Sequence, residues 1–263
     1  MLIQIILCIL SAATTATLYI TVWSLSLWWL LPLLISLYAA SFLLVVLVTV
    51  IFSCCIRRAK PSGARRVFYL LVSHLAEWAC LLCGMRVEAE GVDRLPQDRP
   101  FLLVGNHLSN LDPLVALAAL RGHDTAFVSK PENFKIPVVG FVMHNAAFLP
   151  IDRENPRNAV TTIKTAAQHI AERSLCVGIY PEGTRNKSGE GLLPFHNGSF
   201  KIATTAKCPI AVLKVRYEKS HFPYRRVARI RVVEVLDADY VTANRTDAIS
   251  ERARTIIEED LKK

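Results

Sequence analysis

The chain has 263 residues, 52% of them hydrophobic, and its 31 basic against 22 acidic residues give a formal charge of +9. That apolar content excludes an intrinsically disordered chain, and a basic balance without any base-stacking or groove-reading motif excludes nucleic acid as the partner. The charge is unevenly placed, because no Asp, Glu, Lys or Arg precedes Arg57.

Segments 2–22 and 30–52 are each long enough to cross a hydrocarbon core of about 30 Å. Trp23, Trp28 and Trp29 lie between them, where amphipathic rings favour a membrane interface. Arg57, Arg58, Lys60, Arg65 and Arg66 follow the second segment, so the positive-inside rule puts that end and everything after it on the cytoplasmic side. The expected anchor is a helical hairpin. Its first arm is the weaker, since Gln4, Thr14, Thr15, Thr17 and Thr21 lower its hydrophobicity and would also suit an interfacial position. A cleaved signal peptide would need a basic n-region, which this segment lacks.

The charged stretch 57–66, with Pro61 and Gly63, reads as a linker. Residues 67–84 carry only His74 and Glu77 as strongly ionisable groups and read as a helix that packs on the domain or rests in the headgroup layer. Cys80 and Cys83 have metal or redox spacing, but no second pair completes a zinc site, so buried free thiols are expected. The histidines at 74, 123, 144, 169, 196 and 221 show no ligand-like clustering, and no metal is expected.

Strand-like runs at 86–90, 101–105, 125–129, 175–180, 209–217 and 229–236 are separated mostly by helical ones. Ala159, Ile163, Ala166, Ala167 and Ile170 recur at helical spacing, as do Ile249, Ala253, Ile256, Ile257 and Leu261. The alternation predicts an α/β domain with a mixed, largely parallel sheet. The expected organisation is a hydrophobic membrane anchor over 1–56, a basic linker and interfacial helix over 57–84, and the α/β domain over 85–263.

Two motifs carry chemistry. Asn106-His107-Leu108-Ser109-Asn110-Leu111-Asp112 supplies an imidazole with a carboxylate five residues on. A histidine titrating near neutrality takes a proton from an alcohol, and a neighbouring carboxylate fixes its tautomer. In one regular helix the two side chains would lie roughly 140° apart, so the segment between them must turn. His107 then sits on a loop between a strand and a helix that carries Pro113 at its first position, with Asp112 as the N-cap. A purely structural capping role for Asp112 satisfies the same pattern.

In the second motif the apolar run 175–181 leads directly into Glu182-Gly183-Thr184-Arg185, at the carboxyl end of a strand, where open α/β sheets place their ligands. Guanidinium forks match phosphate oxygens better than ammonium groups do, so Arg185 is a candidate phosphate ligand.

These blocks resemble the glycerolipid acyltransferase family, which includes the 1-acyl-sn-glycerol-3-phosphate (lysophosphatidic acid) acyltransferases. Asn106, His107 and Asp112 resemble its first block; residues 148–153, Phe-Leu-Pro-Ile-Asp-Arg, its second, with Arg153 as the substrate-binding arginine. Residues 181–185, continued by 191–201, resemble the third, and Lys130 with Lys135-Ile136-Pro137 a lysine-containing segment between the first two. The fourth block departs from the family pattern, because residues 208–213 keep Pro209 but place Val212 where a second proline is usual. The resemblance spans roughly residues 85–235.

It implies that His107 acts as general base on the free hydroxyl of a lysophospholipid, oriented by Asp112, and that the hydroxyl attacks an acyl thioester directly. Arg153 and Arg185 would grip the acceptor phosphate. Glu182 would orient Arg185 or bind an acceptor hydroxyl, Gly183 would let the backbone approach the ligand, and Thr184 would belong to the same substrate loop. Lys130 or amides near Gly183 would face the developing oxyanion.

The implied partners are a phospholipid membrane and, as acyl donor, acyl-CoA or acyl carrier protein; no cofactor is implied. The implied product is phosphatidic acid, made at the sn-2 hydroxyl of lysophosphatidic acid, with glycerol 3-phosphate or another lysolipid as alternative acceptors. A lipid-phosphate binder without catalysis would need the arginines but no base.

Overall fold

The computed structural model describes residues 2–21, 29–56, 63–152, 155–173, 175–188, 191–221 and 224–262. The chain divides into two compact units, residues 1–55 and 56–263.

The first unit contains α1 (Leu2–Thr21) and α2 (Leu30–Ile56). Among the described residues one helical stretch, Leu31–Ile51, is long and apolar enough to cross a membrane, with a mean hydropathy of 2.6; the apolar part of α1 is shorter, Cys8–Thr17. The threonines that weaken α1 turn their hydroxyls onto its own backbone. Thr14, Thr15 and Thr17 donate to the carbonyls of Leu10, Ser11 and Ala13 at 2.7, 2.7 and 2.9 Å. Ser36, Ser41 and Thr49 do the same in α2, so these hydroxyls need no water. Of the interfacial tryptophans, Trp29 is exposed; Trp23 and Trp28, like Arg57, Arg58 and Lys60, lie outside the described residues.

The second unit begins earlier than the expected boundary at 85. Helix α3 (Gly63–Leu82) belongs to it, and the supposed linker residues 63–66 form its first turn, in keeping with the helix-forming tendency of Ala64, Arg65 and Arg66. One face of α3 is core: Phe68, Tyr69, Val72, Ala76, Trp78 and Cys80 are buried, and the Tyr69 hydroxyl donates to the Ala146 carbonyl at 2.8 Å. Cys80 and Cys83 are free thiols, but only Cys80 is buried as expected, Cys83 being exposed just past the end of the helix; burial pushes the Cys80 thiol up to about 12. No group of three or more metal-ligating side chains occurs among the described residues.

The strands are β1 (Met85–Glu90), β2 (Leu102–Gly105), β3 (Thr125–Ser129), β4 (Leu149–Pro150), β5 (Cys176–Ile179), β6 (Ile210–Lys219) and β7 (Arg226–Leu236). They form one sheet in the order β1-β7-β6-β2-β5-β3-β4. β6, β2, β5, β3 and β4 run in one direction, while β7 forms an antiparallel pair with β6 and carries β1 parallel to itself. The mixed, largely parallel sheet read from the sequence is therefore present. β4 is an addition. It is a two-residue edge strand ending in Pro150, and an edge is where a residue without an N–H is tolerated.

The remaining helices are α4 (Asp112–Ala119), α5 (Val139–Asn145), α6 (Pro156–Arg173), α7 (Lys201–Ala206), α8 (Ala238–Ala243) and α9 (Thr246–Leu261). α6, α7 and α9 contribute Ala166, Ala167, Ile170, Ile202, Ala203, Ile249, Ala253, Ile256 and Ile257 to a core shared with Leu102, Val104, Val177, Ile179, Ile210 and Val212. α3 and α4 pack together and against β1. Central strands β2 and β5 are thus buried throughout, which is why they read as unbroken apolar runs.

Because β2, β5, β3 and β4 are parallel neighbours, the segments that follow them leave the sheet along one edge. Those segments begin at Asn106, Tyr180, Lys130 and Ile151, the places where the sequence motifs lie.

Candidate active site

Strand β2 ends at Gly105, and the next side chain continues its pairing. Asn106 is buried; its Oδ1 accepts from the Val215 N–H at 2.7 Å and its Nδ2 donates to the Val215 carbonyl at 2.9 Å. The backbone is thereby released to turn while remaining fixed to β6, and it presents His107.

The His107 ring bonds through Nδ1 to Oδ2 of Asp112 at 2.7 Å. The same oxygen accepts the backbone N–H groups of Leu108 and Ser109 at 2.7 and 2.8 Å. The other oxygen, Oδ1, accepts the hydroxyl of Tyr217. Asp112 is wholly buried, and a carboxylate surrounded by donors is an acceptor only, so Nδ1 carries the imidazole proton and Nε2 keeps its lone pair. Nε2 has no hydrogen-bond partner among the described residues, and the side chain is 14% exposed. That is the arrangement of a general base.

The expectation that Asp112 caps α4 needs correction. The N-cap is Leu111, and Asp112 is the first helical residue, followed by Pro113. Its carboxylate points back to the loop amides of Leu108 and Ser109 instead of forward into the helix, because it is there that unpaired donors and the imidazole converge.

An aromatic column supports the ring. His107 stacks on Tyr180 with centroids 4.5 Å apart and planes 13° from parallel; Tyr180 stacks on Phe127 at 5.9 Å, and Phe148 lies tilted against Phe127 at 6.1 Å. Gly178 makes room for it, since a Cβ there would come within 2.2 Å of the Phe127 ring. Gly178→Ala is expected to cost about 1–3 kcal/mol through overpacking. Displacing Phe127 should also tilt Tyr180 and His107, so turnover should fall together with the denaturation midpoint; full activity in a destabilised variant would show that the column does not align the base.

Strand β5 leads into Glu182, which is buried. Its Oε1 accepts the backbone N–H of His107 at 2.7 Å and its Oε2 that of Leu193 at 3.0 Å. Burial raises its pKa above the usual carboxylate value, against the opposing pull of those two amides and of His107. Among the described contacts it does not reach Arg185. In place of the expected contact with that arginine, it bridges the two loops through the amides of His107 and Leu193. A second bridge runs from the Asn186 N–H to the His107 carbonyl at 2.7 Å.

Gly183 has φ +68°, and a Cβ on it would lie 2.7 Å from the His196 ring. Its N–H closes a turn on the Tyr180 carbonyl at 3.0 Å, so that amide is not an oxyanion donor. Thr184 and Arg185, which follow Gly183, are exposed. Lys130 is exposed at the end of β3, ahead of a 3-10 turn over Pro131–Lys135 and an apolar ridge in which Ile136, Val138, Val139 and Phe141 are exposed. Asp152 follows β4 on the same edge. Arg153, the next residue, lies outside the described residues.

The sequence reading missed Tyr217, Tyr180 and Asn186 as members of this site. Tyr217 is separated from Asp112 by 105 residues, and only the pairing of β6 with β2 brings them together. Tyr180 offered a signal, an aromatic directly before Pro181 at a strand end, that composition could not tell from core.

A His–Asp pair at the carboxyl ends of parallel strands, on a sheet packed against helices, is an arrangement suited to acid–base chemistry in an α/β enzyme. Residues 86–215 match the acyltransferase family model, and the chain belongs to that family. It is 27% identical over 206 residues to sheep 1-acyl-sn-glycerol-3-phosphate acyltransferase alpha, a match that covers 76% of this chain and 70% of the relative. It is 36% identical over 133 residues to 1-acyl-sn-glycerol-3-phosphate acyltransferase of Haemophilus influenzae, covering 49% of this chain and 53% of that one. The fold is that of the crystal structure of the 1-acyl-sn-glycerophosphate (LPA) acyltransferase PlsC from Thermotoga maritima, with a TM-score of 0.65, 19% identity, and coverage of 99% of this chain and 95% of the other.

Proposed function

We propose that this protein transfers a fatty acyl group from an acyl thioester to the sn-2 hydroxyl of lysophosphatidic acid, forming phosphatidic acid in phospholipid synthesis. The observation that carries the reading is the Asp112-bound imidazole of His107, with its Nε2 unpartnered among the described residues, at the sheet edge from which Arg185 also projects. The names of the relatives supply the acceptor class.

In this mechanism Nε2 removes the proton of the lysolipid hydroxyl as its oxygen attacks the thioester carbonyl. Asp112 stabilises the imidazolium through Nδ1. Collapse of the tetrahedral intermediate expels the thiolate, which takes the proton back from Nε2. A thioester is already activated, so no covalent enzyme intermediate is needed. Arg185 and Arg153 hold the phosphate, and Lys130 is the candidate for the oxyanion. The stretch Leu31–Ile51 anchors the chain in the bilayer, and the basic residues that follow α2 keep the domain on the cytoplasmic side.

Purified full-length protein, given acyl-CoA or acyl-loaded carrier protein and a panel of labelled acceptors, tests this directly. Preferred acylation of lysophosphatidic acid is expected; preference for glycerol 3-phosphate or another lysolipid would reassign the acceptor, and no transfer to any of them would overturn the reading. Arg185→Ala should raise the KM for lysophosphatidic acid about tenfold or more, the loss of a charge-assisted contact of about 1.5–3 kcal/mol. An unchanged acceptor KM would remove Arg185 from phosphate binding.

A further inference from the structure

The geometry points to Tyr217 as a positioning residue for the base: its hydroxyl holds one oxygen of Asp112 so that the other stays directed at Nδ1 of His107. The inference rests on His107 acting as the base, but its test does not require turnover.

Three donors, the His107 ring and the amides of Leu108 and Ser109, converge on Oδ2. Among the described residues Oδ1 has one, the Tyr217 hydroxyl. Asp112 has no exposed surface, so bulk water cannot serve Oδ1 in its place. A carboxylate held on one side only is free to turn about its Cβ–Cγ bond and to exchange its oxygens. A donor on the second oxygen removes that freedom.

The donor is also of a suitable kind. A phenol satisfies the oxygen without adding positive charge, whereas Lys or Arg at this point would oppose the imidazolium that forms during transfer. Tyr217 stays protonated for the task, since burial first and Asp112 second raise its pKa far above the ordinary phenol value. Of the other polar groups around the pair, Glu182 is engaged on two backbone amides, while Tyr180 stacks its ring on the imidazole face and leaves its buried hydroxyl without a hydrogen-bond partner among the described residues. The Ser109 side chain interacts with the Tyr217 oxygen, and the nearby Cys80, its pKa pushed up by burial, is a neutral thiol.

The position of Tyr217 is set by the sheet. Val215, two residues earlier on β6, is the residue clamped by Asn106. Strand β6 thus fixes the start of the His107 loop through its backbone at Val215 and, two residues further, the oxygen of its carboxylate through the Tyr217 side chain.

The test uses full-length protein in detergent micelles with labelled histidine, following the low-field Nδ1 proton resonance of His107, assigned by its absence from H107A. In Tyr217→Phe that resonance should be displaced or broadened away, kcat should fall about tenfold or more, as on loss of other groups that orient an active ligand, and the acceptor KM should change less than twofold. Tyr217→3-fluorotyrosine keeps the ring and strengthens the donor; it should fold, keep the resonance sharp and shift it, and so decides the matter if Tyr217→Phe does not fold. A resonance unmoved in both variants overturns the proposal, whether or not lysophosphatidic acid is the acceptor, and a loss confined to KM overturns it as well.

Discussion

His107→Ala should lower acyl transfer by about 10²- to 10⁴-fold, the usual contribution of a positioned general base. Stability should change little. The imidazole is partly exposed at the surface of the aromatic column, and its loss removes one stacking contact, worth about 1 kcal/mol. Asp112 keeps its bonds to Leu108, Ser109 and Tyr217. Single-turnover transfer together with a denaturation curve separates the two effects. A variant that turns over near the parent rate would take His107 out of the reaction.

Asp112→Ala should cost far more stability, while its loss of turnover, which acts through His107, should not exceed that of His107→Ala. Four donors lose their acceptor at once inside a wholly buried site, and breaking a buried charged cluster from one side costs about 3–5 kcal/mol. For a chain of this size that is a fall of roughly 10 °C in melting temperature. Turnover should drop by at most about 10⁴-fold, as it does when a base loses the partner that sets its tautomer. The contrast between the two variants is the informative quantity. If Asp112→Ala melts no lower than His107→Ala, the carboxylate orients the ring without organising the loop.

The periodic parts of the chain were legible in advance. Strands β2, β3 and β5 are short apolar runs bounded by turn residues, and α6 and α9 show their buried faces as repeated Ala and Ile at helical spacing. Strand β4 was hidden because two residues ending in proline carry no period. The first turn of α3 was hidden because a basic cluster resembles a linker when its neighbours in space are unknown.

The site divides in the same way. His107 and Asp112 lie five apart, and local geometry was enough to require a turn between them. What each polar group does there was not local. Glu182 reads as a loop acid beside Arg185, yet its partners are amides 75 and 11 residues away. Tyr217 reads as a strand tyrosine until β6 is placed beside β2. Spacing reports which groups are available, and the register of the sheet decides which of them meet.

The clamp at Asn106 leaves the chain sensitive to a change of a single atom. Holding Val215 takes one oxygen that accepts and one nitrogen that donates, and spontaneous deamidation would leave an oxygen facing the Val215 carbonyl where the nitrogen had been. The amide must last as long as the protein does, and its burial in the sheet, away from solvent and with both polar atoms engaged, protects it from that form of chemical ageing.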